Sequence, residues 1–175
     1  VLSRAMSQIP YEGEPLKSDS CYSWTVEVKK EGGQAAVVSE EASFETAFYL
    51  DSEWNAEWIT EPQNIYHLYR TEFKADDKIA KAKLYICGLG HEECVINGKL
   101  VTDAVMEAGW TDYNKSCLYC AYDVSELVTA GDNAICVKLG DGMYRVPGGR
   151  YVYFPRSYGD RKLLATLRII YEDGR

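Results

Sequence analysis

Hydrophobic and polar residues alternate with a period of two in short segments along much of the chain. In the segment that begins at Cys21, Tyr22 and Trp24 fall on one face and Ser23 falls on the other. Similar segments rich in Val, Ile, Tyr and Thr recur between turn residues, and strong helix signals are absent. The pattern predicts an all-β protein.

After residue 62 the predicted strands follow one another closely. Asn97-Gly98 between apolar segments is the strongest short-range signal for a β-hairpin. Apolar residues occur on both faces of the last predicted strand, 163–171, so we expect it to be covered on both sides. About eight strands without helices suit a jelly-roll β-sandwich. The predicted strands span 65–74, 81–87, 93–96, 99–102, 118–124, 135–139 and 163–171.

The first fifty residues are predicted to form a separate unit. The spacing Leu-x-Ser-x-Ser-x-Tyr-x-Trp-x-Val over 16–26 resembles the tyrosine corner of fibronectin type III domains. In those domains a Tyr opens a late strand and its hydroxyl bonds the preceding turn, which assigns that role to Tyr22. A complete domain of this kind needs ~100 residues. We therefore expect 1–50 to be the end of a fibronectin III-like sandwich with a half-covered sheet.

Residues 51–62 are predicted to connect this unit to a second domain over 63–175. The connector contains Trp54 and Trp58 in the pattern Trp-x-Ala-x-Trp-Ile. Large aromatic side chains supply apolar area at a junction, and they can also contact a ligand. Both interpretations stay open, with the junction favoured.

Charge and composition narrow the class of partner. The net charge is −8, with 46% hydrophobic and 26% charged residues. A nucleic-acid partner is disfavoured because such proteins cluster Lys and Arg against phosphate. No apolar stretch approaches the ~20 residues that span a bilayer. A neutral ligand such as a sugar is compatible with this balance.

Six cysteines include a Cys-x-x-Cys motif at Cys117 and Cys120. Zinc would need two further ligands, and the two histidines lie far away in the sequence. The motif falls in a segment predicted as strand, whereas redox motifs of this spacing usually begin a helix. The favoured interpretation is structural, buried or half-buried thiols.

Two loops combine aromatic rings with polar side chains, a mixture suited to sugars. Aromatic rings stack on flat sugar faces, and fixed polar groups bond the hydroxyls. A structural interpretation stays open for both loops: the Trp could fill the core, Asp112 could cap a turn, and the Gly-Asp-Gly at 140–142 could form a tight turn. The candidate carbohydrate-binding residues are Trp110, Asp112, Tyr113, Asp141, Tyr144 and Arg145.

These loops, together with Tyr-Asp-Val-Ser-Glu-Leu at 122–127 and Gly-Asp-Asn at 131–133, resemble the amino-terminal domain of bacterial alpha-L-rhamnosidases. The resemblance implies a jelly-roll, galactose-binding-like module that precedes a catalytic (α/α) barrel in the same polypeptide. It also implies an L-rhamnose-containing glycan as partner. The compartment stays open, with the periplasm or the exterior favoured over the cytoplasm.

Some modules of this kind bind rhamnose through calcium. Asp103 is the metal-ligand candidate that the resemblance implies, in a loop that is expected to face the loop 151–160. A calcium-binding version would carry Asp followed by Asn, whereas here Ala104 follows Asp103. Calcium takes six to eight oxygen ligands, so the loss of one weakens the case. The resemblance likewise places Met143 where the family often has a Trp.

The sequence does not predict that this chain is catalytic by itself. Adjacent acidic pairs occur, such as Glu92-Glu93, but neighbours in a strand face opposite ways, and glycoside hydrolysis needs two carboxylates flanking one cleft. Three functions remain: a carbohydrate-binding accessory module, a structural spacer packed against the barrel, or an active enzyme, which is the least favoured. Exposed rings beside Asp112 or Arg145 would favour binding, and buried rings would favour the spacer.

Overall fold

The computed structural model describes Arg4 and residues 7–29, 37–61, 67–146, Gly148 and 156–175. The chain divides into two compact units, Val1–Glu53 and Trp54–Arg175. Within the described ranges the regular structure is β-strand, apart from one 3-10 turn at Asp51–Glu53. None of these residues forms a helix that could cross a membrane. The strands are β1 Cys21–Trp24, β2 Glu27–Val28, β3 Val37–Val38, β4 Ala42–Glu45, β5 Ile59–Thr60, β6 His67–Ala75, β7 Ile79–Leu89, β8 His91–Ile96, β9 Lys99–Leu100, β10 Cys120–Asp123, β11 Gly131–Gly140, β12 Arg145–Val146, β13 Arg156–Ser157 and β14 Lys162–Tyr171.

The first unit contains the tyrosine corner that the sequence predicts. The Tyr22 hydroxyl accepts a hydrogen bond of 2.6 Å from the backbone N–H of Lys17. The Tyr22 ring stacks on Phe44 across the antiparallel β1–β4 pair, with centroids 5.5 Å apart. Trp24 in β1 and Val28 in β2 are exposed, as expected for a half-covered sheet. The more specific assignment to fibronectin type III stays a prediction.

The second unit is a β-sandwich of two antiparallel four-stranded sheets. One sheet has the order β10-β7-β14-β5 and the other has the order β6-β11-β8-β9. Successive strands pass from one sheet to the other, as between β6 and β7, β7 and β8, and β10 and β11. This is the jelly-roll type of sandwich that the sequence predicts, and its hydrophobic core lies between the sheets.

Strand β7 is central to this unit because both of its faces are buried. Leu84 and Ile86 contribute to the core between the sheets, as their alternation predicts. On the other face, Tyr85 is fully buried and lies edge-on to Trp54, with centroids 6.4 Å apart. Trp54 is therefore a core residue of the second unit, whereas Trp58 is exposed.

The predicted hairpin at Asn97-Gly98 is confirmed. It joins β8 to β9 with φ of 50° at Asn97 and 80° at Gly98, the left-handed backbone that a type I′ turn requires. The Asn97 amide also donates to the carbonyl oxygens of Leu127 and of the buried Asn133 side chain, at 2.9 and 2.7 Å. The turn is thereby anchored to the segment that enters β11.

Two strand predictions need adjustment. Strand β14 is covered on both faces only at its start, where Leu163 and Leu164 are buried, and Ile170 near its end is exposed. Strand β10 begins at Cys120, so Cys117 lies in the preceding loop and not in a strand. The predicted strand 65–74 corresponds to β6, and its first two residues lie outside the described ranges.

Candidate functional site

The predicted site residues lie on two loops of the second unit, except Arg145, which is the first residue of β12. The Trp110 loop comprises residues 101–119, between β9 and β10, and the Gly142 loop comprises residues 141–144, between β11 and β12. The Trp110 loop has left-handed backbone at Met106 and Ala108, with φ of 65° and 64°. Non-glycine residues adopt this conformation rarely, and such strain persists only where surrounding contacts enforce it.

The two loops enclose a shallow pocket of about 250 Å³, here called the Trp110 pocket. The indole of Trp110 is 62% exposed and Met143 is 42% exposed, so both present apolar surface to solvent. Tyr113 is half-buried at the same pocket. The lining residues are Gly90, His91, Met106, Glu107, Gly109, Trp110, Tyr113, Gly142 and Met143.

Glycines allow the Gly142 loop to approach the turn between β7 and β8. Gly142 has a φ of +54°, and a Cβ atom there would lie 2.7 Å from the backbone carbonyl of Gly90. A Cβ atom at Gly90 would lie 2.3 Å from the carbonyl oxygen of Gly140. The backbone of the Gly142 loop is therefore in close contact with that of the β7–β8 turn at this side of the pocket. This contact agrees with the structural interpretation of the Gly-Asp-Gly segment at 140–142, in which glycine is needed for the backbone alone.

Asp112 organises a tight turn over residues 112–116 of the Trp110 loop. Its backbone carbonyl accepts from the N–H groups of Lys115 and Ser116 at 2.8 and 3.1 Å. Its carboxylate accepts from the Asn114 backbone N–H at 3.2 Å and lies 3.1 Å from the Lys115 ammonium. The turn-capping alternative considered from the sequence is thus realised, and contact of Asp112 with sugar stays a prediction.

Tyr144 belongs to a cluster of three tyrosine rings. It is buried, and its ring centroid lies 5.3 Å from that of Tyr113 and 5.9 Å from that of Tyr158. The Tyr144 hydroxyl donates to the Tyr158 carbonyl at 3.3 Å. Tyr144 thus packs against Tyr113 and presents little surface to a ligand.

Asp141 and Arg145 form part of a polar network that continues into the buried interior. The Asp141 carboxylate lies 3.4 Å from Arg145 and 2.9 Å from Arg161, whose side chain is only 3% exposed. Arg161 in turn lies 3.2 Å from Nε2 of His67, which is also buried. Burial and then the Arg161 charge lower the pKa of His67, so the imidazole favours its neutral form beside the cation.

The predicted site residues thus fall into two groups, apart from Asp112, which caps a turn within the Trp110 loop. Trp110 and Tyr113 line the pocket, whereas Asp141, Tyr144 and Arg145 participate in the ring cluster and the ion-pair network beside it. Sequence reasoning missed the pocket residues His91, Met106 and Glu107, because no motif marks them. It also missed His67 and Arg161, which are far apart in the chain and meet only through folding.

Asp103 lies at a different pocket, of about 210 Å³, together with Glu92 and Glu107. Asp103 is exposed, and Ala104 beside it supplies no side-chain oxygen. Within the described ranges no three His, Cys, Asp or Glu side chains converge as a metal-binding group. The carboxylates among the described residues at this pocket therefore supply fewer than the six to eight oxygens that a calcium ion takes. Residues 151–155 of the loop that was expected to face Asp103 lie outside the described residues.

Glu92, at this second pocket, has a carboxyl group with a strongly raised pKa. Among described residues its Oε1 atom is buried and has no hydrogen-bond partner. Burial raises the pKa of Glu92 to about 7, although backbone N–H groups, including that of Gly88, partly oppose the shift. A Cβ atom at Gly88 would lie 2.5 Å from the Glu92 carboxylate, so this glycine provides the space that the side chain occupies.

Comparison with known proteins connects this architecture to glycoside hydrolases. The family model described as alpha-L-rhamnosidase N-terminal domain matches residues 77–175. A second model, described as Rha78A-like N-terminal immunoglobulin domain, matches residues 1–49. An alpha-L-rhamnosidase from Formosa agariphila is 32% identical over 95% of this chain and 19% of its own length. One from Streptomyces avermitilis is 38% identical over 60% of this chain and 10% of its own length.

Solved structures of alpha-L-rhamnosidases share the fold. That of the native enzyme from Aspergillus terreus has a TM-score of 0.81 and 33% identity, covering 93% of this chain and 20% of its own. That from Dictyoglumus thermophilum has a TM-score of 0.79 and 34% identity, covering 94% and 20%. The chain spans about a fifth of the length of the curated relatives that match nearly all of it. It belongs to the alpha-L-rhamnosidase N-terminal domain family.

Proposed function

We propose that the second unit is a non-catalytic carbohydrate-binding module of an alpha-L-rhamnosidase. Its ligand is an L-rhamnose-containing glycan, held in the Trp110 pocket. The observation that carries the proposal is the exposed indole of Trp110 at a pocket that also exposes Met143. A large aromatic ring left in water at a concave surface is typical of a ligand-binding position.

The chemistry of the pocket supports a sugar as ligand. Trp110 and Met143 offer apolar surface to the flat C–H face of a pyranose ring, and two residues with polar side chains, His91 and Glu107, line the same pocket. Polar groups at the rim of an apolar contact can bond hydroxyls and fix the orientation of a ligand. The volume, about 250 Å³, suits a single sugar ring better than a long oligosaccharide.

The proposal extends to the organisation of the parent protein. We assign 1–50 to an immunoglobulin- or fibronectin-like domain and 63–175 to the jelly-roll module. The connector between them, 51–62, also contributes to the module, because Trp54 packs in its core and β5 pairs with β14. A catalytic domain of the same polypeptide is the proposed intramolecular partner, since relatives matching nearly the whole chain are about five times longer. A similar structure, from Streptomyces avermitilis, is that of an alpha-L-rhamnosidase complexed with L-rhamnose; its TM-score is 0.57 at 27% identity.

Calorimetric titration with L-rhamnose tests the proposal directly. We expect saturable heat with the unmodified chain and about tenfold weaker binding for Trp110→Ala, because loss of one stacking ring costs ~1.4 kcal/mol. Trp58→Ala is the matched control, since Trp58 is exposed and does not line the pocket. It should bind L-rhamnose as the unmodified chain does.

Two results would contradict the proposal. One is the absence of heat at millimolar L-rhamnose, and the other is equal affinity for Trp110→Ala and the unmodified chain. Addition of a chelator tests the alternative in which calcium mediates binding. If the heat of L-rhamnose binding disappears with the chelator, the binding site is at Asp103 and not in the Trp110 pocket. We expect no effect of the chelator.

A structural spacer is the second candidate, and a different observation favours it. Val105, Met106 and Leu118 in the Trp110 loop are all exposed, and Tyr144 is buried. Apolar loop residues of this kind can pack against another domain. If this is their role, Val105→Ser with Leu118→Ser should lower the thermal stability of the full-length parent and leave that of the isolated 175-residue chain unchanged.

A further inference from the structure

Two cysteine thiols of the second unit lie in contact although they are far apart in the sequence. Cys87 is buried in β7, and Cys117 is exposed in the Trp110 loop. Their Sγ atoms are 3.8 Å apart, and the Cys87 thiol donates to the Leu118 carbonyl at 3.1 Å. A disulfide bond is ~2.05 Å long, so the sulfur atoms must approach by a further distance of about 1.8 Å. Cys117 lies outside any strand, which permits a local movement of this size.

We propose that Cys87 and Cys117 form a modification site at which a small-molecule disulfide oxidant, such as oxidised glutathione, introduces an intrachain disulfide. The cross-link joins β7 to the Trp110 loop. It requires no metal and does not depend on sugar binding.

The order of the two exchange steps follows from burial. The exposed Cys117 attacks first, as a thiolate: its sulfur bonds to one sulfur of the oxidant, and one glutathione thiolate leaves. Burial raises the pKa of Cys87 well above its usual value, so this thiol stays protonated until the second step. Cys87 then loses its proton to solvent and attacks the Cys117 sulfur, and the second glutathione leaves. Overall, two protein thiols are oxidised to one disulfide and one oxidant molecule is reduced to two thiols.

Cys120 is the competing partner, because it completes the Cys-x-x-Cys motif. It lies in β10, where it pairs with Ile86 of β7. Its thiol donates to the Glu107 carboxylate at 3.2 Å. Reaction of Cys120 with Cys117 would break this hydrogen bond, just as reaction of Cys87 breaks its bond to the Leu118 carbonyl. The observation that favours Cys87 is the existing contact between its Sγ atom and that of Cys117, at 3.8 Å.

The expected physical consequence is a more stable second unit. The disulfide would close a loop that includes β8, β9 and most of the Trp110 loop, and such closure restricts the unfolded chain. The oxidised chain should therefore unfold several degrees above the reduced chain.

Peptide mapping of the 175-residue chain tests the site. The chain is incubated with oxidised glutathione, free thiols are alkylated, and the non-reduced digest is analysed by mass spectrometry. We expect a peptide pair joined through Cys87 and Cys117, while Cys21, exposed in the first unit, gives at most a glutathione adduct. Cys120→Ser is the matched control and should form the same cross-link.

The result that would overturn the proposal is a cross-link between Cys117 and Cys120, or a stable glutathione adduct on Cys117 without a cross-link. Cys117→Ser provides a second measurement, because replacement of an exposed residue should leave the fold intact. It should abolish both the cross-linked peptide and the rise in unfolding temperature, and a persistent rise would contradict the assignment.

Discussion

Burial gives Glu92 and His67 opposite effects on stability as the pH changes. The pKa of Glu92 is raised from 4.5 to about 7, so between these values the folded state binds more protons than the unfolded state. Its contribution to stability is therefore complete below pH 4.5 and is lost as the pH rises through 7. The pKa of His67 is lowered from 6.5, so its contribution is present above pH 6.5 and is lost as the pH falls below that value.

Replacement of Glu92 by Gln should remove the first of these effects. Gln cannot ionise, so the unfolding temperature of Glu92→Gln should rise relative to that of the unmodified chain by several degrees between pH 5 and pH 8. The measurement is thermal unfolding of both proteins at each pH. Comparison at equal pH cancels the contribution of His67, which both chains share.

The neighbouring residue provides the control for this experiment. Glu93 is exposed and lies 2.6 Å from the Lys138 ammonium, and exposed ion pairs contribute little to stability. Glu93→Gln should therefore keep the pH response of the unmodified chain. If Glu92→Gln and the unmodified chain respond equally to pH, the pKa of Glu92 is not raised as described.

The contacts of some residues could be predicted from the sequence, and those of others could not. The hydroxyl contact of Tyr22 could be predicted because it depends on a local spacing, from Leu16 to Val26. Tyr144 is different, because its burial depends on rings at 113 and 158, supplied by two other segments. A sequence motif identifies such a residue as special but does not tell whether its ring faces ligand or core.

At the scale of elements, the approach of the Gly142 loop to the β7–β8 turn shapes the Trp110 pocket. Gly142→Ala should lower the free energy of unfolding by ~1–3 kcal/mol, because Ala combines an unfavourable φ with a backbone clash at Gly90. Denaturant unfolding measures this loss. Binding of L-rhamnose should weaken as well, since Gly142 lines the pocket.

Gly140→Ala is the matched control for this substitution. A Cβ atom at Gly140 would lie 3.7 Å from the His91 carbonyl oxygen, an ordinary contact, and its φ is not in the left-handed region. This variant should unfold close to the unmodified chain. Equal losses at Gly140 and Gly142 would show that the clash with Gly90 is not the cause.

Strands and tight turns could be predicted from the sequence, but the contacts between loops could not. The Asn97-Gly98 hairpin is marked by a dipeptide that favours one turn type, and β7 is marked by alternation with a period of two. Both signals are local in the sequence. The pairing of Gly90 with Gly142, and of His67 with Arg161, depends on how sheets and loops pack. No pattern along the chain encodes these distances.

At the scale of the whole molecule, the two units should unfold separately. The core of the second unit draws on residues of its own strands, from Ala75 in β6 to Leu163 in β14. A chain comprising 54–175 should therefore fold alone and keep a cooperative thermal transition close to that of the second unit in the 175-residue chain. Circular dichroism of both proteins measures this, and a truncated chain without a transition would contradict the two-unit description.

The central claim is that the Trp110 pocket binds sugar, and the indole N–H signals in a nitrogen–proton correlation spectrum test it most directly. The chain contains four Trp residues, so four indole signals are expected, and Trp110→Ala identifies one of them. On titration with L-rhamnose we expect the Trp110 signal to shift saturably, while those of Trp24, Trp54 and Trp58 stay in place. A Trp110 signal that stays fixed at millimolar L-rhamnose, or a shift confined to another Trp, would contradict the account.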